Sequence, residues 1–353
     1  MDETSRHAGE VNRDGNGDGR KAKGVLRIRA CLTASIAFAF LSVGSAQTQS
    51  LKPLKFGHCQ VAPEVIAVWI ANELGIFQKY RLKVELTHVA GATLGQAMAA
   101  GEIPIGFCAG NIAVSSVAHG GDLVVVAGVV NHLVGNLWVV ADSPIHRVQD
   151  LRGKAIAISA VGSLTEIVGR IILEEHGMST RDVTLRPLGN SPARLVALER
   201  GVSEAAILLT FSPGPEKRIR SIYDIGSLKV LLPVASVLST RRFIQKSPGD
   251  VEAVIKALVE AVAFINKPAN KDRVIASLRE GLKLKSVAET MPFYETTLRT
   301  FDPTYTIPVK GMEAFIAILS EKDPAVAKLK AEDTVDGRFV SNLEKSGFFK
   351  GIQ

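Results

Sequence analysis

Cys59 stands between His58 and Gln60 at the end of an apolar stretch, and a thiol beside an imidazole is the pair from which a cysteine nucleophile is made. Successive residues of an extended chain point to opposite sides, so His58 is badly placed to take the Cys59 proton. A second group, Ser163-Leu164-Thr165-Glu166, follows the S-x-x-E pattern of a capping box. There the serine hydroxyl accepts from one free amide of a helix's first turn and the glutamate reaches back to another. One glutamate cannot satisfy every free amide, so such a turn, entered through Gly162, can also hold an anion by its remaining N–H groups and the helix dipole. Glu174, Glu175 and His176 fall together at a helix end without metal-site spacing. These patterns predict no catalytic residue, no metal and no cofactor.

The elements that position these groups follow from hydropathy. "LKPLKFGHCQ" reads as a short strand, and Pro63 then opens a helix whose Val65, Ile66, Trp69, Ile70 and Leu74 recur at helical spacing until Gly75. Leu82, Val84 and Leu86 alternate with Lys83, Glu85 and Thr87, which is the pattern of a sheet edge with one wet face. "GATLGQAMAAGE" is a small-residue helix, "IPIGFCAG" a strand, and "DLVVVAGVV" a strand buried on both faces. This alternation predicts a parallel α/β sheet with right-handed crossovers.

A second series begins after "NHLVGNLWVVADSP". "KAIAIS", "VTLRPL" and "EAAILLTF" read as strands, separated by helices over 163–176 and "SPARLVALERG". "KVLLPVASVLS" runs extended, and Ser247 is expected to cap a long helix with Val251, Val254, Ile255, Leu258, Val262 and Ile265 on one face. Trp69 and Trp138 fall on apolar faces and read as core. The expected organisation is a first lobe over 51–132, an inserted second lobe over 133–237, and a return to the first lobe with C-terminal helices over 238–353.

The chain has 353 residues, 46% hydrophobic and 22% charged, which suits a globular protein. Residues 1–46 read otherwise: basic "RKAKGVLRIR", an apolar run over 30–43, then Gly44 and Ala46 form a secretory signal peptide cut near Ala46. The run is shorter than the roughly 20 apolar residues of a membrane span. No lipid-acceptor cysteine follows it, so a soluble, monomeric periplasmic protein is expected. The formal net charge is +7, but the basic residues are scattered and no stripe of them alternates with aromatics, which argues against nucleic acid. Of the three cysteines, Cys31 lies in the leader, and Cys59 and Cys108 end neighbouring strands. Adjacent strands rarely offer the Cβ geometry of a disulfide, so two thiols are expected.

Taken in order, "WIANELGIFQKYRLKVELTHVAG", "AMAAGEIPIGFCAGN", "VQDLRGKAIAISAVGS" and "LEEHGMSTRDVTLRPLGNSPARLVALERGVSEAAIL" carry a resemblance over nearly the whole mature chain. It resembles the periplasmic substrate-binding proteins of ABC importers for nitrate, sulfonates, taurine and related compounds, a group that includes binders of thiamine-pyrimidine precursors. The resemblance implies the type II periplasmic-binding-protein fold: two α/β lobes, each a mainly parallel sheet flanked by helices, joined by two crossing strands. A small anionic or polar solute would lie in the cleft, the closed form would be presented to a membrane permease with its ATPase, and no turnover would occur.

Ligands of open α/β sheets bind outside the carboxyl ends of the strands. The candidate contacts are therefore His58, Cys59, Gln60, Gly91, Ala92, Thr93 and Asn111 in the first lobe. In the second they are Ser159, Gly162, Ser163, Leu164, Thr165, Asn190, Ser191, Thr210 and Phe211. His58 reads equally as a packed core histidine, and His132, where the chain leaves the first lobe, equally as a hinge residue. An enzymatic alternative exists on the same fold. The desulfinases of aromatic sulfinates are similar and use a cysteine at the position of Cys59, but the His and Arg they would require in "GATLGQA" are missing here. A sensor that uses the same closing lobes to address a membrane kinase or carrier is a third class.

Overall fold

The computed structural model describes residues 50–209 and 218–352; the expected leader and the candidate contacts Thr210 and Phe211 lie outside the described residues. Ten strands are described: β1 Lys52–His58, β2 Leu82–His88, β3 Ile105–Cys108, β4 Leu123–Val130, β5 Gly135–Val140, β6 Ala155–Ile158, β7 Thr184–Pro187, β8 Ala205–Leu209, β9 Ile219–Asp224 and β10 Ala235–Thr240. They form two five-stranded sheets, ordered β2-β1-β3-β10-β4 and β7-β6-β8-β5-β9.

In the first sheet β1 runs parallel to β2 and β3, as the strand–helix alternation predicts. β4 does not pair with β3. The late strand β10 slots between them, antiparallel to both. The second sheet repeats this plan, with β6 parallel to β7 and β8, and β5 antiparallel to β8 and β9. All eight residues of β4 are buried, which is why that strand is an unbroken apolar run. β2, at the sheet edge, buries Leu82 and half-buries Val84 and Leu86.

The chain crosses between the sheets twice, after β4 and before β10. The two crossing segments are hydrogen-bonded to each other, Leu232 N–H donating to Asn131 O at 3.0 Å and Val234 N–H to Val130 O at 2.9 Å. Asn131 itself is buried and its Nδ2 donates to Asp302 Oδ2 and to Thr306 O, each at 2.8 Å, so the crossing is anchored from the C-terminal part of the chain.

Some helix starts are set by a capping side chain. Ser163, Asn190 and Thr240 each cap the helix that follows through their side-chain oxygens. Ser247 does not. Its backbone closes the helix Arg241–Lys246 by donating to Phe243 O, its hydroxyl accepts from Lys52 Nζ at 3.3 Å, and Pro248 opens the helix Pro248–Asn266 uncapped. The six residues expected on the inner face of that helix are all buried.

Candidate functional site

The loops at the carboxyl ends of β1, β2, β3, β4, β6 and β7 carry the described candidate residues. Where β1 ends, the parallel register sets His58 opposite Phe107, so the next pair is Cys59 and Cys108. These form a disulfide with their Cα atoms 5.4 Å apart, in place of the two expected thiols. Cys59 has already left the strand, its amide donating to Phe107 O at 3.2 Å, so it does not occupy a regular ladder position. A thiolate nucleophile at this position, which the enzymatic alternative needs, is thereby removed.

His58 is buried, its Nδ1 shares a hydrogen bond of 2.8 Å with Gln60 O, and its ring lies 5.3 Å from that of His88 on β2. Burial pushes the His58 pKa down, against the Gln60 carbonyl, and the charge of His88 adds to the fall. With Nδ1–H donating, the neutral ring leaves Nε2 as an acceptor. Gln60 Nε2 in turn donates to Glu64 Oε1 at 2.6 Å.

Glu64 is the residue that sequence reasoning missed. It occupies the 3-10 turn Pro63–Val65 that leads into the helix Ile66–Glu73, where an acidic residue ordinarily just complements the helix dipole. Here it is 6% exposed, and its Oε2 has no hydrogen-bond partner. Burial pushes its carboxyl pKa up to about 7. It lines a recess with His132, Leu133, Val134, Leu209 and Thr300, where the crossing segments meet the end of β8. His132, a candidate contact, is an exposed member of that lining.

Asn111 starts the helix Asn111–Ala118 after β3, and its buried Nδ2 donates to Gly162 O at 2.9 Å. That bond spans from the loops of the first sheet to the turn after β6 in the second. Gly162 has φ +74° with nothing within 4 Å of where a Cβ would sit, so the backbone is open there, and Val161 beside it is 68% exposed.

The hydroxyls of this turn face one another. Thr165 Oγ1 accepts from the Ser159 amide at 2.8 Å and lies 2.9 Å from both Ser159 Oγ and Ser163 Oγ. Ser163 Oγ accepts the Glu166 amide at 3.4 Å, while Glu166 Oε2 accepts the Gly162 amide at 2.5 Å, one residue earlier than in a regular capping box. The side chains thus stiffen the turn, and the first-turn amides of Leu164 and Thr165 have no carbonyl within the helix to bond.

Glu166 is 3% exposed and its Oε1 meets Arg170 at 2.9 Å and Lys322 at 2.6 Å. Burial alone would raise its pKa, but Lys322, the Gly162 amide and Arg170 hold it below the usual carboxylate range. Arg170, equally buried, also donates to Glu321 Oε2 at 2.6 Å. Glu321 and Lys322 follow the helix Val309–Ser320, which packs against the helix Asn111–Ala118 of the first sheet.

Of the remaining candidates, Gly91, Ala92 and Thr93 open the helix Gly91–Ala99 with Ala92 and Thr93 exposed. Asn190 caps its own helix at 3.0 Å, and Ser191 Oγ accepts from Arg194 Nη2 at 3.0 Å. Arg194, 3% exposed, also donates to Ile207 O and Gly189 O, and burial lowers its pKa to about 10. It pins the Gly189–Ser191 loop to β8. The structure therefore joins Gln60 to Glu64 and Asn111 to Gly162, and keeps Asn190 and Ser191 within their own loop.

The family described as NMT1/THI5 like matches residues 62–271. No curated protein sequence matches the chain. Among solved structures, a putative sulfonate ABC transporter periplasmic sulfonate-binding protein, SsuA from Methylobacillus flagellatus KT, is similar with a TM-score of 0.69 and 18% identity, over 86% of this chain and 96% of that one. The alkanesulfonate-binding protein SsuA from Xanthomonas axonopodis pv. citri, bound to MOPS, has a TM-score of 0.66 and 22% identity over 82% and 99%. A mutant of DszB in complex with biphenyl-2-sulfinic acid has a TM-score of 0.58 and 16% identity over 84% and 99%. Together these likenesses establish the two-lobed, type II periplasmic-binding-protein fold.

Proposed function

From the membership of this chain in the NMT1/THI5-like family, we propose that it is the periplasmic solute-binding component of an ABC importer and closes two lobes on a small polar or anionic organic solute. The lobes are 51–132 with 238–353, and 133–237. The Asn111–Gly162 bond carries the reading, because it sets the starts of two helices, one from each sheet, face to face. A solute between them meets amides from both lobes and stabilises the closed form by its preference for that form. The hydroxyls of Ser159, Ser163 and Thr165 hold the turn, and the amides of Leu164 and Thr165 meet the solute's polar or anionic end.

The closed monomer is presented to a membrane permease whose ATPase acts at one remove. Structural neighbours that are sulfonate-binding proteins support this solute class. The Cys59–Cys108 disulfide supports an oxidising compartment and weighs against a thiol enzyme. The test is a thermal-shift and small-angle scattering screen of the mature chain with sulfonates, nitrate, carboxylates and pyrimidines. At ~100 times its dissociation constant a true ligand adds about 2.7 kcal/mol and should shrink the radius of gyration. If no compound changes either, or if an aryl sulfinate is turned over in a manner abolished by Cys59→Ser, the proposal fails.

A further inference from the structure

We infer that the recess beneath the crossing segments is a subsite for a basic or hydrogen-bond-donating nitrogen, and that Glu64 selects solutes carrying one. The inference rests on the solute-binding reading above and names the solute class more narrowly.

Buried polar atoms in folded proteins are almost always partnered. Glu64 breaks the rule on one side only. Its Oε1 accepts from Gln60 Nε2 at 2.6 Å, while Oε2, equally buried, accepts from nothing. No Lys or Arg forms an ion pair with Glu64 among the described residues, so the missing partner is not a side chain folded away elsewhere in them. With its pKa raised to about 7 the carboxyl is ionised above neutral pH, and in that form it offers acceptor sites only, so its complement is a donor, and a cation best of all. A second anion placed there would meet a like charge in a low-dielectric setting.

The place is as telling as the atom. The recess is walled by Val130, Leu133 and Val134 of one crossing segment, by Val234 of the other and by Leu209 at the end of β8. Its walls thus belong to both sheets and to the chain that joins them. His132 and Thr300 are the other polar members of the lining, and Glu64 is its one carboxylate; the largely apolar surroundings strengthen its attraction for a donor. Gln60 sits in the loop after β1, so the recess is linked by hydrogen bonds to the candidates Gln60 and His58.

The experiment is calorimetry on the full mature chain at pH 8 with matched compounds: 3-aminopropane-1-sulfonate against propane-1-sulfonate, and 4-(aminomethyl)benzoate against 4-methylbenzoate. In at least one pair the nitrogen-bearing member should bind at least tenfold more tightly. Glu64→Gln, which keeps shape and the Gln60 contact, should abolish that preference and leave the partner compound within twofold; Glu64→Asp should restore part of it. Equal affinities within every pair, as when a buried water alone serves Oε2, overturn the inference, as does a preference that survives Glu64→Gln. If propane-1-sulfonate or nitrate binds and closes the lobes while no nitrogen-bearing compound binds, the inference falls and the importer reading stands. If no compound binds or changes the scattering, both fall.

Discussion

Glu64 and Cys59 show what a single position can hide. A glutamate one residue after a helix-opening proline looks like routine complement to the helix dipole, and only the packing of the Pro63–Val65 turn turns it into a buried acid. Its folded pKa of about 7 lies above the ordinary 4.5, so the native state holds the proton more tightly than the unfolded chain. The sign follows: this contribution is fully present below about 4.5 and is lost as pH rises through about 7, amounting to about 3 kcal/mol. Denaturant unfolding at pH 5 and pH 8 should therefore show wild type losing more stability than Glu64→Gln across that interval; parallel losses in the two proteins would refute the burial argument. Cys59 was legible as a residue at the end of β1, and its disulfide was not. The expectation of two thiols treated the ends of neighbouring strands as regular ladder positions, whereas the ladder stops at His58 and the cysteine falls just beyond it.

Elements whose identity depends on their own residues were legible: the wet-faced edge strand β2, the fully buried β4, the helix started by Ser163. β10 was legible as an extended run but its place was not, because its position between β3 and β4 is decided by a segment more than a hundred residues away that must first be returned from the second sheet. Two predictions belong to this scale. The disulfide ties β1 to β3 across a separation of 49 residues, so Cys59→Ser/Cys108→Ser should cost about 2–4 kcal/mol. Reductant should lower the melting temperature of the wild type and leave that double variant unmoved. In the turn after β6, Thr165 is the buried member and serves the Ser159 amide, whereas Ser163 makes a longer bond to Glu166. Thr165→Val should cost about 1–3 kcal/mol by leaving that amide unpaired, more than Ser163→Ala, for which about 0.5–1 is expected. Equal losses in urea denaturation would assign the turn's stiffness elsewhere.

At the scale of the molecule, Glu166 links one sheet's helix to a distant part of the chain. Arg170 and Glu166 lie one turn apart on the helix Leu164–Glu175, while Lys322 and Glu321 follow the helix that packs on the first sheet's side. Among the described residues the gap is bridged by the buried Asn111–Gly162 contact, by Arg170 to Glu321 and Ile318 O, and by the half-exposed Lys322–Glu166 bridge. Their roles differ in physics. Removing Arg170 strands Glu166 without its buried partner and should cost about 3–5 kcal/mol of global stability, and it also deletes the bond to Glu321, so that variant mixes folding with closure. Lys322 is 55% exposed, and such a bridge is worth only about 0.2–1 kcal/mol, too little to unfold anything. It is enough to shift a balance between open and closed forms by about 1.4- to fivefold, and apparent affinity falls in proportion to the competent fraction. Lys322→Ala should thus leave the unfolding midpoint of the ligand-free protein nearly unchanged, enlarge its radius of gyration, and weaken solute binding by that factor, mainly through faster release. If affinity and scattering both stay at their wild-type values while Asn111→Ala alone opens the molecule, closure is governed by the helix starts and the bridge is surface decoration.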